Sequence, residues 1–406
     1  MEITLTMING ILTAITFGIL TTWVYLVAYV VKSLKESPIL DSYRKSAVIS
    51  NLPKVSIILP ARNEEKYIAK CLDSLINQDY PNFEIIAVND SSTDRTEVIM
   101  HQYAARDPRI LVVHAKPKPD GWAGKNWACF EGYLRATGNV FLFTDADTVH
   151  LPSTMSLSIK HLIFENLDAL TAIPKLLSKD IWTKITLPML STFLHSRFSA
   201  LRVNDRKTKI GYFFGSFFII TRSTYERVGT HKVVRHELVE DGALGRKVKE
   251  EKFMMKMVRG ENYIEAIWAR DLTTLWNGLR RLMIPLYNQN GKRASLMAIA
   301  IFFLLFEPFL LLPYSLLFVN LVREDILSLV LIVSDAVASV IIILSSVIQL
   351  RIGIFQNPIY ALGSPLGGAI ISLSFITAII DGKKKNGVVS WRGRKYTLSE
   401  KQHPLN

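Results

Sequence analysis

Residues 10–31 contain no charged side chain, and this run restricts the possible folds more than any other feature of the sequence. Its 22 residues exceed the roughly 20 that a helix needs to cross the hydrocarbon core of a bilayer. No Lys or Arg precedes it and it is longer than the apolar part of a secretory signal, so we interpret it as a permanent anchor. Further apolar runs, each with at most one charged residue, occur at 294–322, 326–350 and 352–380. The sequence therefore predicts one N-terminal and about three C-terminal transmembrane segments around a polar block.

Basic residues that follow the first run predict its orientation. Lys32, Lys35, Arg44 and Lys45 come soon after it, and by the positive-inside rule they place the N-terminus outside and the polar block in the cytoplasm. We therefore expect an integral protein of the cell membrane whose polar block lies in the cytoplasm.

The basic tail conflicts with this number of crossings. Seven basic residues lie within 383–401 and favour the cytoplasm, whereas one plus three crossings would put the tail outside. We give the charge of the tail more weight and expect one segment to be re-entrant or broken. The candidates are 294–322, which contains Pro308 and Pro313, and 352–380, which is rich in proline and glycine.

The net charge of +13 raises the question of a nucleic-acid partner. Many of the basic residues lie beside the apolar runs or in the tail, and no stripe of interleaved aromatic residues accompanies them. Such clusters suit anionic headgroups or phosphorylated substrates, so we expect no nucleic-acid partner.

Strands and helices alternate along the polar block, which predicts an α/β fold with a parallel sheet and helices on both faces. Ligands of such sheets bind at the carboxyl ends of the strands, where this sequence places polar clusters at 60–65, 89–94 and 145–147. No Gly-x-Gly-x-x-Gly follows the first strand, so a dinucleotide site is not indicated. The predicted strands are 55–59, 84–88, 110–114, 140–143, 167–173 and 217–221, and the predicted helices are 64–78, 94–104, 125–136, 239–250 and the interfacial 271–287.

The stretch "FTDADT" places Asp145 and Asp147 one residue apart at the end of a predicted strand. Taken alone, such a pair is usually a solvated turn. Two carboxylates this close cannot both stay ionised at low cost unless a cation lies beside them. Because Mg2+ is typically held by one or two carboxylates together with substrate phosphates, the pair predicts half of a metal site that a nucleotide diphosphate completes.

Five motifs together resemble a known family. They are "VSIILPARNEE", "VNDSSTDRT", "GWAGKNWA", "FTDADT" and "VEDGALGR", in the order and spacing of the family 2 glycosyltransferases, whose GT-A fold has a Rossmann-like mixed sheet. The tail "GVVSWRGRKY" and the spans look most like a membrane branch that includes hopanoid-associated and carotenoid (4,4'-diaponeurosporenoate) glycosyltransferases, with ceramide glucosyltransferase more distant. The implied organisation is an anchor at 1–32, a GT-A domain at 53–268, an interfacial amphipathic segment at 269–293, membrane segments at 294–381 and a basic tail at 382–406.

The resemblance implies which residues bind the donor. Pro60, Arg62 and Glu64 would line the nucleoside pocket, and Asp90 would accept from the uracil or equivalent base. Lys125 would lie near the diphosphate or the base, although it could instead be a solvated residue of a first helical turn.

The resemblance also implies the metal site and the catalytic pair. Asp145 would face the nucleotide, and Asp147 would ligate the Mg2+ or Mn2+ on the diphosphate. Asp241 would be the base that takes the proton from the acceptor hydroxyl while Glu240 positions the acceptor, in a single inverting displacement. Because acids are favoured in the first turn of any helix, a purely structural role for this pair is the alternative. Asp94 is interpreted as a helix cap rather than a ligand.

The leaving diphosphate needs positive charge, and arginine suits this role. Processive relatives use Gln-x-x-Arg-Trp, which this chain lacks, so we expect Trp391, Arg392 and Arg394 to replace it. Arg280 and Arg281 are a second possibility, and a basic tail held on anionic lipid is the alternative interpretation.

We conclude from the sequence that the chain transfers a sugar from a nucleotide donor, UDP-linked, to a membrane lipid. One alternative is a polysaccharide synthase, against which the missing Gln-x-x-Arg-Trp and the small number of spans count. Another is a non-catalytic membrane scaffold that retains a nucleotide-sugar fold, against which the two intact acidic pairs count.

Overall fold

The structure is a computed structural model that describes residues 2–46, 51–319, 326–383, 388–391 and 394–397. By its contacts the chain divides into two units. The mixed-sheet unit comprises residues 36–177 and 198–268, and the apolar-helix unit comprises residues 1–35, 178–197 and 269–406.

Helices and strands are labelled in chain order. The helices are α1 (Glu2–Glu36), α2 (Ile68–Ile76), α3 (Thr96–Ala104), α4 (Gly124–Tyr133), α5 (Thr154–Phe164), α6 (Ile181–Arg197), α7 (Ala200–Asn204), α8 (Arg222–Val228), α9 (Glu240–Glu250), α10 (Leu272–Gln289), α11 (Gly291–Val319), α12 (Ile326–Ile348) and α13 (Ser364–Lys383). The strands are β1 (Val55–Ala61), β2 (Phe83–Asn89), β3 (Ile110–His114), β4 (Val140–Phe143), β5 (Thr148–His150), β6 (Ala169–Ile173), β7 (Lys175–Ser178), β8 (Phe218–Thr221), β9 (Met255–Arg259), β10 (Ile264–Ala269), β11 (Val388–Trp391) and β12 (Arg394–Thr397).

A seven-stranded sheet forms the centre of the mixed-sheet unit, in the order β3-β2-β1-β4-β8-β6-β9. The strands β3, β2, β1 and β4 are parallel, as the alternation of strands and helices predicts. Strand β8 runs antiparallel to both β4 and β6. The α/β class and the mixed sheet are confirmed, and β8 is where the sheet departs from the all-parallel arrangement that alternation alone indicates.

Strand β1 is buried along its whole length because both faces of the sheet are covered. Ile57 and Leu59 belong to one apolar core and Ile58 to the other, as the alternation of side chains in a strand requires. The first core also receives the predicted apolar face of α2, which consists of Ile68, Cys71, Leu72 and Leu75.

The apolar-helix unit contains helices long and apolar enough to cross a membrane. Within the described residues these are Met7–Glu36, Gly291–Leu317, Ile326–Gly353 and Pro358–Gly382. The prediction of one N-terminal and three C-terminal apolar segments is confirmed.

Helix α11 continues through Pro308 although proline removes a helical hydrogen bond. Pro308 has no N–H to donate to the carbonyl oxygen of Leu304, four residues earlier. The indole N–H of the fully buried Trp23 donates to that oxygen at 2.7 Å. A side chain of α1 thus satisfies the group that Pro308 leaves open, as apolar surroundings require.

The two runs expected to contain a break differ. Within its described residues, 294–322 is part of one continuous helix. In 352–380 a 3₁₀ turn at Pro358–Gly363 precedes α13, and the expectation that one of the two runs is re-entrant or broken stays a prediction.

Helix α6 was not predicted from the sequence and lies inside the polar block. The side chain of Asp180 accepts from the backbone N–H of Thr183 at 3.0 Å and caps its start. Its contacts group it with the apolar helices, including a hydrogen bond of 3.0 Å between the hydroxyls of Thr192 and Ser345 on α12.

Candidate active site

Two loops interlock at the carboxyl ends of β1 and β2. Arg62 Nη1 donates to the backbone oxygens of Asp90 and Ser91 at 2.6 and 2.8 Å. The side-chain oxygen of Asn63 accepts from the N–H of Thr93 at 2.8 Å. Asn63 and Ser91 both have a φ of 55°, in the left-handed region that few non-glycine residues adopt. The fold therefore holds both loops in one defined arrangement.

The interlocked loops carry the residues that were predicted to line the nucleoside pocket. Pro60 lies inside β1 and is buried, Glu64 is fully buried, and Asp90 is 5% exposed. The backbone N–H of Glu64 donates to the hydroxyl of Thr96 at 2.7 Å. Burial of two carboxylates at the end of the sheet is costly unless the fold compensates them, so these residues do not form a solvated turn.

Asp94 stabilises the start of α3, as the sequence indicated. Its Oδ1 accepts from the backbone N–H and the hydroxyl of Thr96 at 3.0 and 2.6 Å, and its Oδ2 accepts from the N–H of Glu65 at 3.1 Å. Burial alone would raise the pKa of Asp94, but these hydrogen bonds lower it below its usual value.

The acidic pair follows β4 directly. Asp145 and Asp147 are half-buried, and Ala146 between them is buried, so the chain turns the two carboxylates away from the core. The preceding Thr144 donates its hydroxyl to the backbone oxygen of Ser216 at 2.8 Å. This bond joins the end of β4 to the segment that enters β8.

Lys125, in the first turn of α4, places a positive charge beside Asp145. Its Nζ lies 2.7 Å from Asp145 Oδ1 and 2.7 Å from Glu240 Oε1. Burial would lower the pKa of Lys125, but the negative charges of Asp145, Glu240 and Asp241 raise it well above its ordinary value. The ammonium group therefore stays charged and links residues that are far apart in the sequence.

Helix α9 approaches the preceding chain segment so closely that it requires glycine. A Cβ atom on Gly245 would meet the backbone nitrogen of Phe213 at 2.7 Å, closer than real Cβ contacts. This close packing brings the first turn of α9 to Gly215, whose N–H donates to Asp241 Oδ2 at 2.8 Å. The glycines of "VEDGALGR" thus position the acids of the same motif.

Helix α4 also fixes the segment that leads into α9. The side-chain amide of Asn126 donates to the backbone oxygens of Val234 and Glu237 at 2.6 and 3.1 Å. Asn126 follows Lys125 in sequence, so one helix turn both binds Glu240 and holds the chain just before it.

The functional groups converge on Gly215, which sequence reasoning missed. A Cβ atom built there would lie 2.8 Å from Asp241 Oδ2, 2.9 Å from Lys125 Nζ and 3.4 Å from Asp145 Oδ2. The only sequence signal was a glycine just before a predicted strand, which does not indicate its partners.

The residues present fit a hard divalent cation. Asp145 and Asp147 supply carboxylate oxygens, the ligand type that Mg2+ and Mn2+ prefer, from half-buried positions at the end of a central strand.

The residues proposed for the leaving group lie elsewhere in the chain. Trp391 ends β11 and is paired in register with Arg394, which begins β12, whereas Arg392 lies outside the described residues. Arg280 forms an ion pair with Asp381 at 2.5 Å, within the apolar-helix unit.

The sequence is similar to those of known proteins. Residues 56–229 match the family model described as Glycosyl transferase family 2. The chain is 26% identical over 363 residues to 4,4'-diaponeurosporenoate glycosyltransferase of Staphylococcus aureus (strain bovine RF122 / ET3-1), covering 87% of this chain and 90% of the relative. The protein of the same name from strain USA300 gives the same identity and coverage.

A solved structure supports the fold. The mannosyltransferase from Pyrobaculum calidifontis in complex with GDP-Man and Mn2+ superposes with a TM-score of 0.53 at 15% identity, covering 91% of this chain and 99% of that chain. The likeness confirms the GT-A fold of the mixed sheet.

Proposed function

Because the chain is a family 2 glycosyltransferase, we propose that it transfers a sugar from a UDP-sugar to a membrane lipid by inverting, metal-dependent displacement. The observation that carries this proposal is the convergence of Lys125, Asp145, Glu240 and Asp241 around Gly215. Three separate segments meet there beside the carboxyl end of β4, where ligands of such sheets bind.

Asp241 acts as the base and Glu240 as its neighbour that positions the acceptor. The side chain of Glu240 is 7% exposed and is held by Lys125, whereas Asp241 is only half-buried. Asp241 takes the proton from the acceptor hydroxyl while the oxygen of that hydroxyl attacks the anomeric carbon of the sugar. The bond to the diphosphate breaks on the opposite face, so the configuration at that carbon inverts.

The donor binds along the carboxyl ends of β1, β2 and β4. Arg62, Glu64 and Asp90 hold the nucleoside with Pro60, and Asp90 accepts from the base. Lys125 contributes a fixed positive charge where the diphosphate develops negative charge.

The metal site consists of Asp147 with Asp145. A bound Mg2+ or Mn2+ supplies positive charge to the diphosphate leaving group. Arg392 and Arg394 are proposed to add to that charge from the tail, with Trp391 beside them in the same motif.

The acceptor is proposed to be a lipid of the cytoplasmic leaflet. Among the residues that the structure describes, four helices could span a membrane, and the Staphylococcus aureus relative is named for a carotenoid substrate. We place the chain in the cell membrane and its product among glycolipids.

Transfer assays on membranes that contain the chain test this function. The donors are UDP-glucose, UDP-N-acetylglucosamine and GDP-mannose, each with Mg2+, Mn2+ or a chelator and an extract of bacterial lipids. We expect a UDP-sugar to label the lipid fraction with inverted configuration, and chelation to stop the reaction. Asp241→Asn should lower the rate about 10²- to 10⁴-fold, the usual contribution of a general base.

Asp79→Asn is the matched control, since Asp79 is an exposed acid beyond α2 and should keep the wild-type rate. Donor consumption without lipid labelling would contradict the lipid acceptor. If no donor is consumed under any metal, the non-catalytic scaffold is the better account.

A further inference from the structure

A cluster of metal-ligating side chains lies apart from the residues assigned above. Glu97 and His101 are four residues apart on α3, and His114 is the last residue of β3. Glu97 is partly buried and both histidines are exposed, and one ligand atom from each lies within 4.8 Å of the other two. We propose that these residues form a binding site for a divalent transition-metal ion of the Zn2+ class.

The spacing between the groups suits two ligands of one metal ion better than a direct ion pair. Nδ1 of His114 lies 3.5 Å from Oε1 of Glu97, which is longer than a good hydrogen bond. Two ligands each about 2.1 Å from a tetrahedral Zn2+ are roughly 3.4 Å apart. Residues four apart lie on the same face of a helix, so His101 reaches the same point.

The chemistry of the ligands selects the class of metal. Imidazole nitrogen suits Zn2+ and its neighbours in the first transition row, whereas Mg2+ and Ca2+ take oxygen ligands almost alone. Two imidazoles and one carboxylate leave one position of a tetrahedral ion open to water. This cluster therefore prefers a different class of metal ion from the one that the carboxylates of Asp145 and Asp147 prefer.

A neighbouring residue orients the carboxylate. Asn89 lies opposite His114 in the β2–β3 register, and its side-chain amide donates to Glu97 Oε2 at 2.7 Å. Such contacts to a ligating group fix its orientation and strengthen metal binding. A metal here would tie the edge strand β3 to α3, directly after the loop that carries Asp90.

Metal binding to the full chain in detergent tests the proposal without an activity measurement. Zn2+ is titrated calorimetrically in excess Mg2+, and thermal unfolding is followed with and without Zn2+. We expect one tight Zn2+ per wild-type chain and a higher unfolding temperature when it is bound. His101→Ala and His114→Ala should each weaken binding by about 100-fold or more and remove the thermal shift.

Two variants serve as controls. Gln102→Ala removes an exposed neighbour on α3 and should bind Zn2+ as the wild type does. Asp147→Ala should also keep the Zn2+ site, which separates it from the acidic pair. Equal Zn2+ affinity in the wild type and His114→Ala, or no tight Zn2+ in the wild type, would overturn the proposal.

Discussion

Replacement of Gly215 by alanine tests whether the convergence of charged groups is what makes the site work. The new methyl group would lie 2.8 Å from Asp241 Oδ2 and 2.9 Å from Lys125 Nζ, whereas ordinary contact begins at 3.4 Å. The carboxylate must therefore retreat by about 0.6 Å and the ammonium by about 0.5 Å, the differences between these distances.

The expected effect follows from that displacement. A misplacement of roughly 1 Å in a catalytic group can cost about 10²-fold in rate, so 0.6 Å corresponds to about 16-fold. The hydrogen bond of 2.8 Å from the Gly215 N–H to Asp241 would be lengthened as well. We therefore expect Gly215→Ala to lower kcat at least 10-fold.

The assay is the initial rate of sugar transfer to lipid at saturating donor, with thermal unfolding measured on the same preparation. Gly18→Ala is the control, because a Cβ atom on Gly18 of α1 would meet nothing within 4 Å. A Gly215→Ala protein with an unchanged unfolding temperature and a wild-type kcat would refute the reasoning. Loss of kcat together with loss of the folded state would also contradict it, because the reasoning requires a disturbed site in a folded protein.

Trp23→Phe should destabilise the apolar-helix unit by about 1–2 kcal/mol, because it leaves the Leu304 carbonyl without a donor, and Pro308→Ala should reduce that cost by restoring a backbone N–H. Thermal unfolding of the two single variants and the double variant measures this coupling, and equal costs of Trp23→Phe in both backgrounds would contradict it. Burial lowers the pKa of His150 and of His231 from 6.5 to about 3, so the unfolded chain binds more protons between these values and stability falls as pH drops below about 6.5. The two residues together should change the free energy of unfolding by about 2.7 kcal/mol per pH unit, as measured by denaturant titration. His231→Asn should halve that slope, and an unchanged slope would mean that the His231 imidazole is already charged in the folded protein.

Much of the fold could be predicted because short sequence patterns indicate where many of its strands and helices lie. The strand 110–114 and the strand 140–143 were predicted with the bounds that the structure has, since each is a short apolar run between clear breaks. Helix α6 was not predicted because Thr183, Thr192 and a proline interrupt its apolar residues. Its sequence therefore lacks one continuous apolar stripe. Its helical form depends on contacts with other apolar helices, which no local pattern reveals.

In the candidate site as well, the sequence predicted some features and missed others. Asp145, Asp147, Glu240 and Asp241 were found because acids at the end of a strand or the start of a helix form recognisable motifs. The role of Lys125 as the link between Asp145 and Glu240 was not predicted, because the two acids are 95 residues apart and meet only through packing.

The sequence by itself determined which segments are apolar enough to cross a membrane, where six of the seven strands of the central sheet lie, and which acids stand at strand ends and helix starts. These properties follow from hydrophobicity and hydrogen bonding within a few residues. Only the tertiary structure decided that β8 reverses, that Gly245 lets α9 approach Phe213, and that Gly215 becomes the meeting point of the charged groups. Such contacts depend on distances between segments far apart in the chain, and these distances are fixed only when the core is packed.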